Sequence, residues 1–514
     1  MKKLHRVFIG IFFAMLVIPL LLVNTDAGAV SPTENRLLAN FPPLRNEIGE
    51  LNGNFPSQLN TYLNDRIGFR HELGVLNAHI KLFVLRTTPN DRVRVGLDGW
   101  HYFTFDSNIE IAKGTYPLTD ADLDAIKRYQ RAVADYYESK GVDYLLMLSP
   151  SKTSIYPEFI DFGGYTVRET PVDILDRLLT DEGIVTVSPK DRILAHKDEG
   201  LLFRKYDAHW TNLGAYYAYC EIVEQLNEVG IHDTPLDIEV VETPGQYGEY
   251  GGVFGDNQLF AETIPDISFQ ASATNTTSGS LYDGIEAIVE ADPELLDFAV
   301  FENPHAKNGT LLLYGDSQEQ PARKIPQLLA EHFKKVVYVG IKPKINLDIE
   351  ALVNPDVVIF ARSERYINVT LVQAPCIPII VGSEKAMSLP LTKESPTPTL
   401  HIDGLETTST DAEGILTVPQ KTGTLVLTGW IVDDAAEEPL SALYLKVGDT
   451  YLECFYGIKR KDVADVFGKA VLNSGFGVTI PRELIEEADE FTFYAVSADG
   501  SRLIELPQGK FVEG

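Results

Sequence analysis

Two short stretches of this 514-residue chain carry residue types that could do nucleophilic chemistry. The first is Leu311-Leu312-Leu313-Tyr314-Gly315-Asp316-Ser317, with a helical pattern after it. An apolar strand ends, Gly315 permits a tight turn, and Ser317 is expected at a helix start with its hydroxyl above the sheet edge. Backbone N–H groups and the positive helix end would then face any oxyanion formed there. The same residues also suit a plain turn and helix cap. The second stretch is Tyr206-Asp207-Ala208-His209-Trp210-Thr211. A nucleophilic serine needs a base, and the base needs a carboxylate that fixes its tautomer and stabilises the imidazolium. Asp207 and His209, two residues apart before a helix, can supply both; a helix-capping Asp beside an interfacial His is the alternative. A metal site would need a third and a fourth ligand, and the neighbouring sequence offers none. Ser149 and Ser151, at another strand end, are rival nucleophiles with a less clear helix start.

The elements that must position these residues follow from hydrophobic spacing. From Asp120 to Lys140 apolar residues recur at Leu123, Ile126, Tyr129, Val133 and Tyr137, between a Thr119/Asp120 cap and Gly141. That spacing predicts a helix. The continuous apolar run Tyr144–Leu148 predicts a strand buried on both faces. Further strands are expected at Ile184–Val187, Thr310–Tyr314, Lys335–Val339, Asp356–Ala361 and Ile377–Val381, with helices at Leu59–Leu85, Asn212–Val229 and Pro321–Phe333. Strand and helix alternating in this way give an α/β fold: a parallel sheet with helices on both faces.

The composition fits a multi-domain globular protein, 44% hydrophobic and 23% charged. A formal charge of −30, from 74 acidic and 44 basic residues, repels phosphate backbones, so nucleic acid is not an expected partner. Cys220, Cys376 and Cys454 are far apart and leave room for at most one disulfide. Lys2, Lys3, His5 and Arg6 precede the apolar run Val7–Val23 and then Ala27-Gly28-Ala29, the pattern of an export signal. Residues 1–29 are therefore read as a signal peptide or, if uncleaved, a membrane anchor, and the chain as extracytoplasmic, at the cell surface or in the periplasm. Residues 30–385 form the α/β catalytic domain. Residues 386–400, with Ser395-Pro396-Thr397-Pro398, read as a linker. Short alternating segments in 401–514 predict a β-sandwich accessory domain. Its Trp430, Tyr451, Phe455 and Tyr456 are either core or sugar-stacking residues.

Taken together, Asp207-x-His209-Trp210 and the later Gly315-Asp316-Ser317 resemble the DHHW and AlgJ/AlgX-type group of SGNH-hydrolase-like proteins. Ordered echoes support this: Ser31–Arg36, Asn64-Asp65-Arg66, Phe69-Arg70, Gly99-Trp100, Pro150-Ser151-Lys152 and Tyr156-Pro157, over roughly residues 31–385. Asp and His precede the serine, the permuted order of that group. The resemblance implies a Ser317 nucleophile, His209 as base and Asp207 as its orienter, with no cofactor and no metal. It implies O-acetylation of an exported or cell-wall polysaccharide, the acyl unit supplied by a membrane-bound O-acyltransferase. A carbohydrate acetylesterase using the same triad, and a non-catalytic glycan-binding or assembly protein, are the alternatives. Ordinary SGNH enzymes complete the oxyanion hole with a Gly and an Asn. Here the strand Asp356–Ala361 leads into Arg362-Ser363-Glu364-Arg365 with no Asn. Gly315, Gly252, Arg362 and Lys152 are the candidate oxyanion or substrate contacts, while Glu364-Arg365 reads as an ion pair and Lys152 by default as a solvated lysine.

Overall fold

The structure is a computed structural model that describes residues 2–513 except 27, 31–36, 46–48, 117, 162–168, 343, 368–375, 393–397, 404–415, 421–423, 433–438 and 489. The echo Ser31–Arg36, Ala27 of the processing site and most of Ser395–Pro398 lie outside the described residues. Seven strands form the central sheet: Asp143–Ser149 (β1), Val185–Val187 (β2), Thr274–Thr276 (β3), Leu295–Glu302 (β4), Asn308–Gly315 (β5), Phe333–Ile341 (β6) and Val357–Ser363 (β7). Their order is β2-β1-β7-β5-β6-β4-β3. The strands from β2 to β6 run parallel, as the alternating pattern predicts. At the far edge β4 runs antiparallel to β6, and β3 to β4. Residues 303–307 between β4 and β5 are too few for a helical crossover, so the direction must reverse.

The apolar strands are buried on both faces. Leu145, Met147, Leu311 and Leu313 enter one core, with Trp210 and Leu213; Leu146, Leu148, Leu312 and Tyr314 enter the other, with Ile126 and Tyr129. Helices Asp120–Ser139 (α2) and Asn212–Glu228 (α4) cover these opposite faces; the helix Lys2–Leu21 is α1 and Pro171–Asp181 is α3. A capping box joining Thr119 and Asp122 opens α2, and Thr211 caps α4 by accepting from Gly214 N–H. Register levels the strand ends that matter. Ser363 lies opposite Ser149 and Phe360 opposite Tyr314, so Ser149, Ser363 and the segment just after Gly315 share the C-terminal edge of the sheet.

Several expectations are corrected. The Leu59–Leu85 helix is three pieces, Phe55–Arg66, Arg70–His79 and a π-helical Ile80–Leu85. It breaks at Gly68-Phe69, where Phe69 has φ 61° and Gly68 lies against Leu22 and the Pro19 carbonyl. The segment after Ser317 forms a 3₁₀ turn at Pro321–Arg323 and a short helix at Ile325–Leu329, and Phe333 already begins β6. The strand expected at Ile377–Val381 shrinks to Ile380–Val381 (β8) and leaves the parallel sheet altogether. The three cysteines are free and buried.

The C-terminal region continues with Leu425–Val432 (β9), Ala442–Val447 (β10), Thr450–Glu453 (β11), Phe455–Ile458 (β12), Gly475–Ile480 (β13), Glu490–Val496 (β14) and Leu503–Glu513 (β15). One sheet runs β8-β11-β10-β14-β15, the other Thr399–Ile402, β9, β13, β12, and their inner faces share one core. The expected strand Thr450–Tyr456 is in fact two, which part at Cys454 and join different sheets. Of the candidate sugar-stacking residues, Phe455 and Tyr456 are buried, and Trp430 stacks on His401 with centroids 5.4 Å apart. Phe455 meets Tyr129 of α2 edge-on at 5.8 Å, and Lys459 pairs with Asp122 at 2.6 Å, so the sandwich docks on the α2 side. No helix among the described residues is long and apolar enough to cross a membrane. The apolar side chains of α1 are exposed, Phe8 to 70%.

Candidate active site

His209 sits in the loop between Phe203 and α4, and its neighbours leave it little freedom. Arg204 N–H donates to the His209 carbonyl, and Thr211 N–H to Leu202. His209 Nδ1 lies 2.6 Å from Asp207 Oδ1, which also accepts from His209 N–H at 3.0 Å. Asp207 Oδ2 accepts from Arg204 Nη1 at 3.3 Å and from Glu249 N–H at 3.3 Å, at the start of the helix Glu249–Val253 (α5). Burial alone would raise the Asp207 carboxyl; the His209 hydrogen bond and the charges of His209, Arg204 and Arg323 outweigh it and hold it well below the usual range. An ionised carboxylate on Nδ1 selects the tautomer whose Nε2 carries a lone pair. That Nε2 is buried and has no hydrogen-bond partner among the described residues.

Lys152 is not a solvated lysine. It is 4% exposed, and its ammonium donates to the carbonyls of Arg204 at 3.1 Å, Lys205 at 3.2 Å and Asp207 at 2.7 Å. It also lies over the rings of Trp100, Tyr102 and Tyr250. Burial drives its pKa down to about 7, against the pull of Asp207, Glu262 and Glu249. Its function here is to tie the carbonyls of the Asp207 loop together. Gly248 lets that loop approach: a Cβ there would lie 2.0 Å from the Tyr206 carbonyl oxygen.

Ser317 follows β5 in a turn, half-buried, rather than opening a helix. The turn is held by carboxylates. Asp316 accepts from Gln318 N–H at 2.9 Å and from Ser363 N–H at 2.9 Å. Glu319 accepts from Asp316 N–H at 3.0 Å and from the Ser149 hydroxyl at 2.5 Å. Burial and the Asp316 charge push the Glu319 carboxyl well above its usual range. Burial would also raise Asp316, but the Arg362 charge and hydrogen bonding from Gln318 and Ser363 hold it below. Gly315 is required for close approach, since a Cβ would meet Glu319 at 2.9 Å and Tyr338 at 3.0 Å.

Gln318 brings the two loops together. Its carbonyl accepts from Trp210 Nε1 at 2.8 Å, its side-chain oxygen from Trp210 N–H at 3.3 Å, and its amide donates to the Ala208 carbonyl at 3.3 Å. The neighbour of Ser317 is thereby bonded to both neighbours of His209. Of the other candidates, Arg362 is 2% exposed, donates to the carbonyls of Ile341 and Lys342, and lies over Phe360. Its charge holds the Asp316 carboxyl below its usual range. Gly252 lies in α5 against Asn257. Glu364 takes bonds from Ser151 N–H and the Ser154 hydroxyl, and Arg365 lies over Tyr366, so the expected pair is not formed. The rival Ser149 is committed to Glu319.

Sequence reasoning missed Arg204, Glu249, Glu319 and Gln318; charged residues embedded beside both motifs were the available signal. It also missed that Asp207, His209 and Glu249 each place a ligand atom within 4.8 Å of the others, a set able to hold a metal ion. An ion there would compete with the Nδ1–Oδ1 hydrogen bond. A cleft of about 1690 Å³ opens elsewhere, between α2 and the sandwich.

Residues 93–288, which include Asp207 and His209 and stop short of Ser317, match the family model described as an SGNH hydrolase-like domain, acetyltransferase AlgX. A probable alginate O-acetylase AlgJ of Pseudomonas syringae is 25% identical over 302 residues, 57% of this chain and 71% of that protein. A probable alginate O-acetylase AlgJ of Pseudomonas aeruginosa is 29% identical over 183 residues, 34% of this chain and 44% of that one. The solved O-acetyltransferase domain of Pseudomonas putida AlgJ aligns with a TM-score of 0.36 at 14% identity, covering 54% of this chain and 92% of that domain. With the α/β sheet and the family-model match on residues 93–288, the chain is similar to the AlgJ/AlgX-type group of SGNH-hydrolase-like proteins.

Proposed function

We propose that this chain is an extracytoplasmic serine O-acyltransferase that acetylates hydroxyl groups of an exported or wall-associated polysaccharide. The observation that carries the reading is the orphaned His209 Nε2, backed on Nδ1 by ionised Asp207 and joined through Gln318 to the Ser317 turn. A buried imidazole nitrogen without a partner is costly unless a reacting group fills the position. The relatives named O-acetylases and the acetyltransferase family model support the reaction class.

In the first half-reaction Ser317 Oγ bonds to the acyl carbon of the donor as its proton passes to His209 Nε2. The carbonyl electron pair moves onto oxygen and then returns, breaking the bond to the leaving group, which takes the proton from Nε2. In the second half a sugar hydroxyl gives its proton to Nε2 and attacks the acyl carbon. Collapse transfers the acetyl group to the sugar and restores the Ser317 hydroxyl. Asp207 keeps the imidazole in one tautomer through both halves. The exposed apolar α1 serves export or anchoring, and a membrane-bound O-acyltransferase supplies the acyl unit.

The test is intact-mass spectrometry of residues 30–514 after brief exposure to 4-nitrophenyl acetate. An acetyl adduct should map to Ser317, vanish in Ser317→Ala and form at least roughly 10³-fold more slowly in His209→Ala. Added oligosaccharide should then accelerate loss of the adduct and gain acetyl itself. No adduct in the wild type, or one that persists in Ser317→Ala, refutes the assignment.

A further inference from the structure

An acyl-enzyme route needs donors aimed at the carbonyl oxygen, yet the residues singled out from the sequence do not supply them. Lys152 donates to three backbone carbonyls, Arg362 gives both Nη atoms to carbonyls and does not line the chamber between the two loops, and Gly252 packs against Asn257. A different set is free. A chamber of about 20 Å³ lies between the two catalytic loops, lined by Ala208, which precedes His209, and Gln318, which follows Ser317. Three of the residues that line it each carry a buried polar atom, Thr153 Oγ1, Ser363 Oγ and Arg365 Nε, with no hydrogen-bond partner among the described residues. Thr153 is 3% exposed and Ser363 1%, and Arg365 is half-buried with its Nε turned away from the surface. A native fold leaves few buried polar atoms unpaired, and three around one chamber mark a place for an acceptor.

The chamber has the size of one oxygen atom with its surroundings, since about 10–15 Å³ already admits a water. Its other walls include the buried rings of Tyr102 and Tyr250 and the Lys152 side chain, and the chamber is not sealed from outside. Both hydroxyls can rotate to donate, and a guanidinium N–H can only donate. The strand register sets Ser363 at the level of the Ser317 turn, to which its N–H is bonded through Asp316.

We propose that Thr153, Ser363 and Arg365 form the oxyanion hole of this enzyme, taking by side chains the role that a Gly–Asn pair would otherwise fill. The inference rests on the Ser317 acyl-enzyme reading. As Ser317 Oγ bonds to the acyl carbon, the carbonyl π pair becomes a lone pair on oxygen inside the chamber. There the three donors hold it until the pair returns and the leaving group departs with the proton from His209.

The experiment measures the rate of Ser317 acetylation by 4-nitrophenyl acetate in Arg365→Met, Arg365→Lys, Ser363→Ala and Thr153→Val. Loss of one oxyanion donor costs roughly 10²–10³-fold in rate, expected for Arg365→Met, with roughly tenfold losses for the two hydroxyl variants and partial rescue by Arg365→Lys. The maximal rate should fall while half-saturation stays put, and near-UV circular dichroism of the small hydroxyl variants should match the wild type. Unchanged rates with an intact Ser317 adduct overturn the assignment and leave the nucleophile standing. A rise in half-saturation alone also overturns it, since that describes ground-state binding. Absence of any adduct in the wild type brings down both readings.

Discussion

The two loops that meet at the site are fixed by opposite means. The Asp207–His209 loop is held through its carbonyls by cations, with Lys152 donating to three of them and Arg204 bridging Asp207 to Glu262. The Ser317 turn is held through its amides by carboxylates, Asp316 and Glu319, which also reach the ends of β7 and β1. The base loop comes from a segment between sheet and α4 and needs long side chains from outside to shape it. The nucleophile turn leaves a strand directly, so short acidic side chains within the turn suffice. Rigidity in both cases comes from buried polar groups that are hydrogen-bonded to the loop backbones, while His209 Nε2 is left without a partner among the described residues.

The largest effect should come from the point where the base loop does chemistry. Asp207→Asn keeps the shape but removes the charge that fixes the tautomer, and should lower kcat by roughly 10³–10⁴-fold; it also leaves Arg204 without its Asp207 partner, so the melting temperature should fall as well. Steady-state kinetics beside calorimetry would check this. Next is Lys152→Met, which strands three carbonyls in a dry site and should cost about 3–5 kcal/mol of stability, read by denaturant unfolding. This residue also carries a pH signature. Its folded pKa, about 7, lies below the unfolded value, so between pH 7 and 10 the unfolded chain binds the extra proton and stability rises with pH. The slope approaches roughly 1.4 kcal/mol per pH unit, and Lys152→Met should abolish it.

On the carboxylate side, Asp316→Asn should cost about 1.5–3 kcal/mol, since an ionised acceptor of two amides is lost. Glu319→Gln should cost no more than about 1 kcal/mol, because burial and Asp316 already keep that carboxyl protonated and the amide is its near isostere. Urea midpoints of the two variants would rank them. If Glu319→Gln proved the more damaging, the account of the turn as one charged and one neutral carboxyl would fail.

Much of the sheet was legible in the sequence because its strands are buried on both faces and read as unbroken apolar runs: β1, β5, β6 and β7 fall where the runs lie. The helix α4 and its Thr211 cap were legible for the same local reasons. The spacing of Asp207 and His209 allowed their hydrogen bond without singling it out from a helix-capping Asp beside an interfacial His. Long-range facts were not legible. The helix start expected at Ser317 fails because Pro321 and Pro326 favour short turns over a continuous helix, and the turn relies instead on Asp316 and Glu319. The burial of Lys152 depends on three aromatic rings and three carbonyls from distant segments. Thr153, Ser363 and Arg365 are unremarkable in sequence and become conspicuous only when β1 and β7 are set side by side.

The exchange of chain between the two bodies has a consequence for how this protein comes apart. Ile380–Val381 runs out of the α/β body to pair with Thr450–Glu453 at an edge of the sandwich. Phe455 returns from the sandwich into the core beneath α2. Removing the sandwich would uncover that core, and removing the α/β body would bare a sandwich edge. The two should therefore melt as one cooperative unit, with a single calorimetric transition, and limited proteolysis should find no early cut that releases a folded C-terminal fragment.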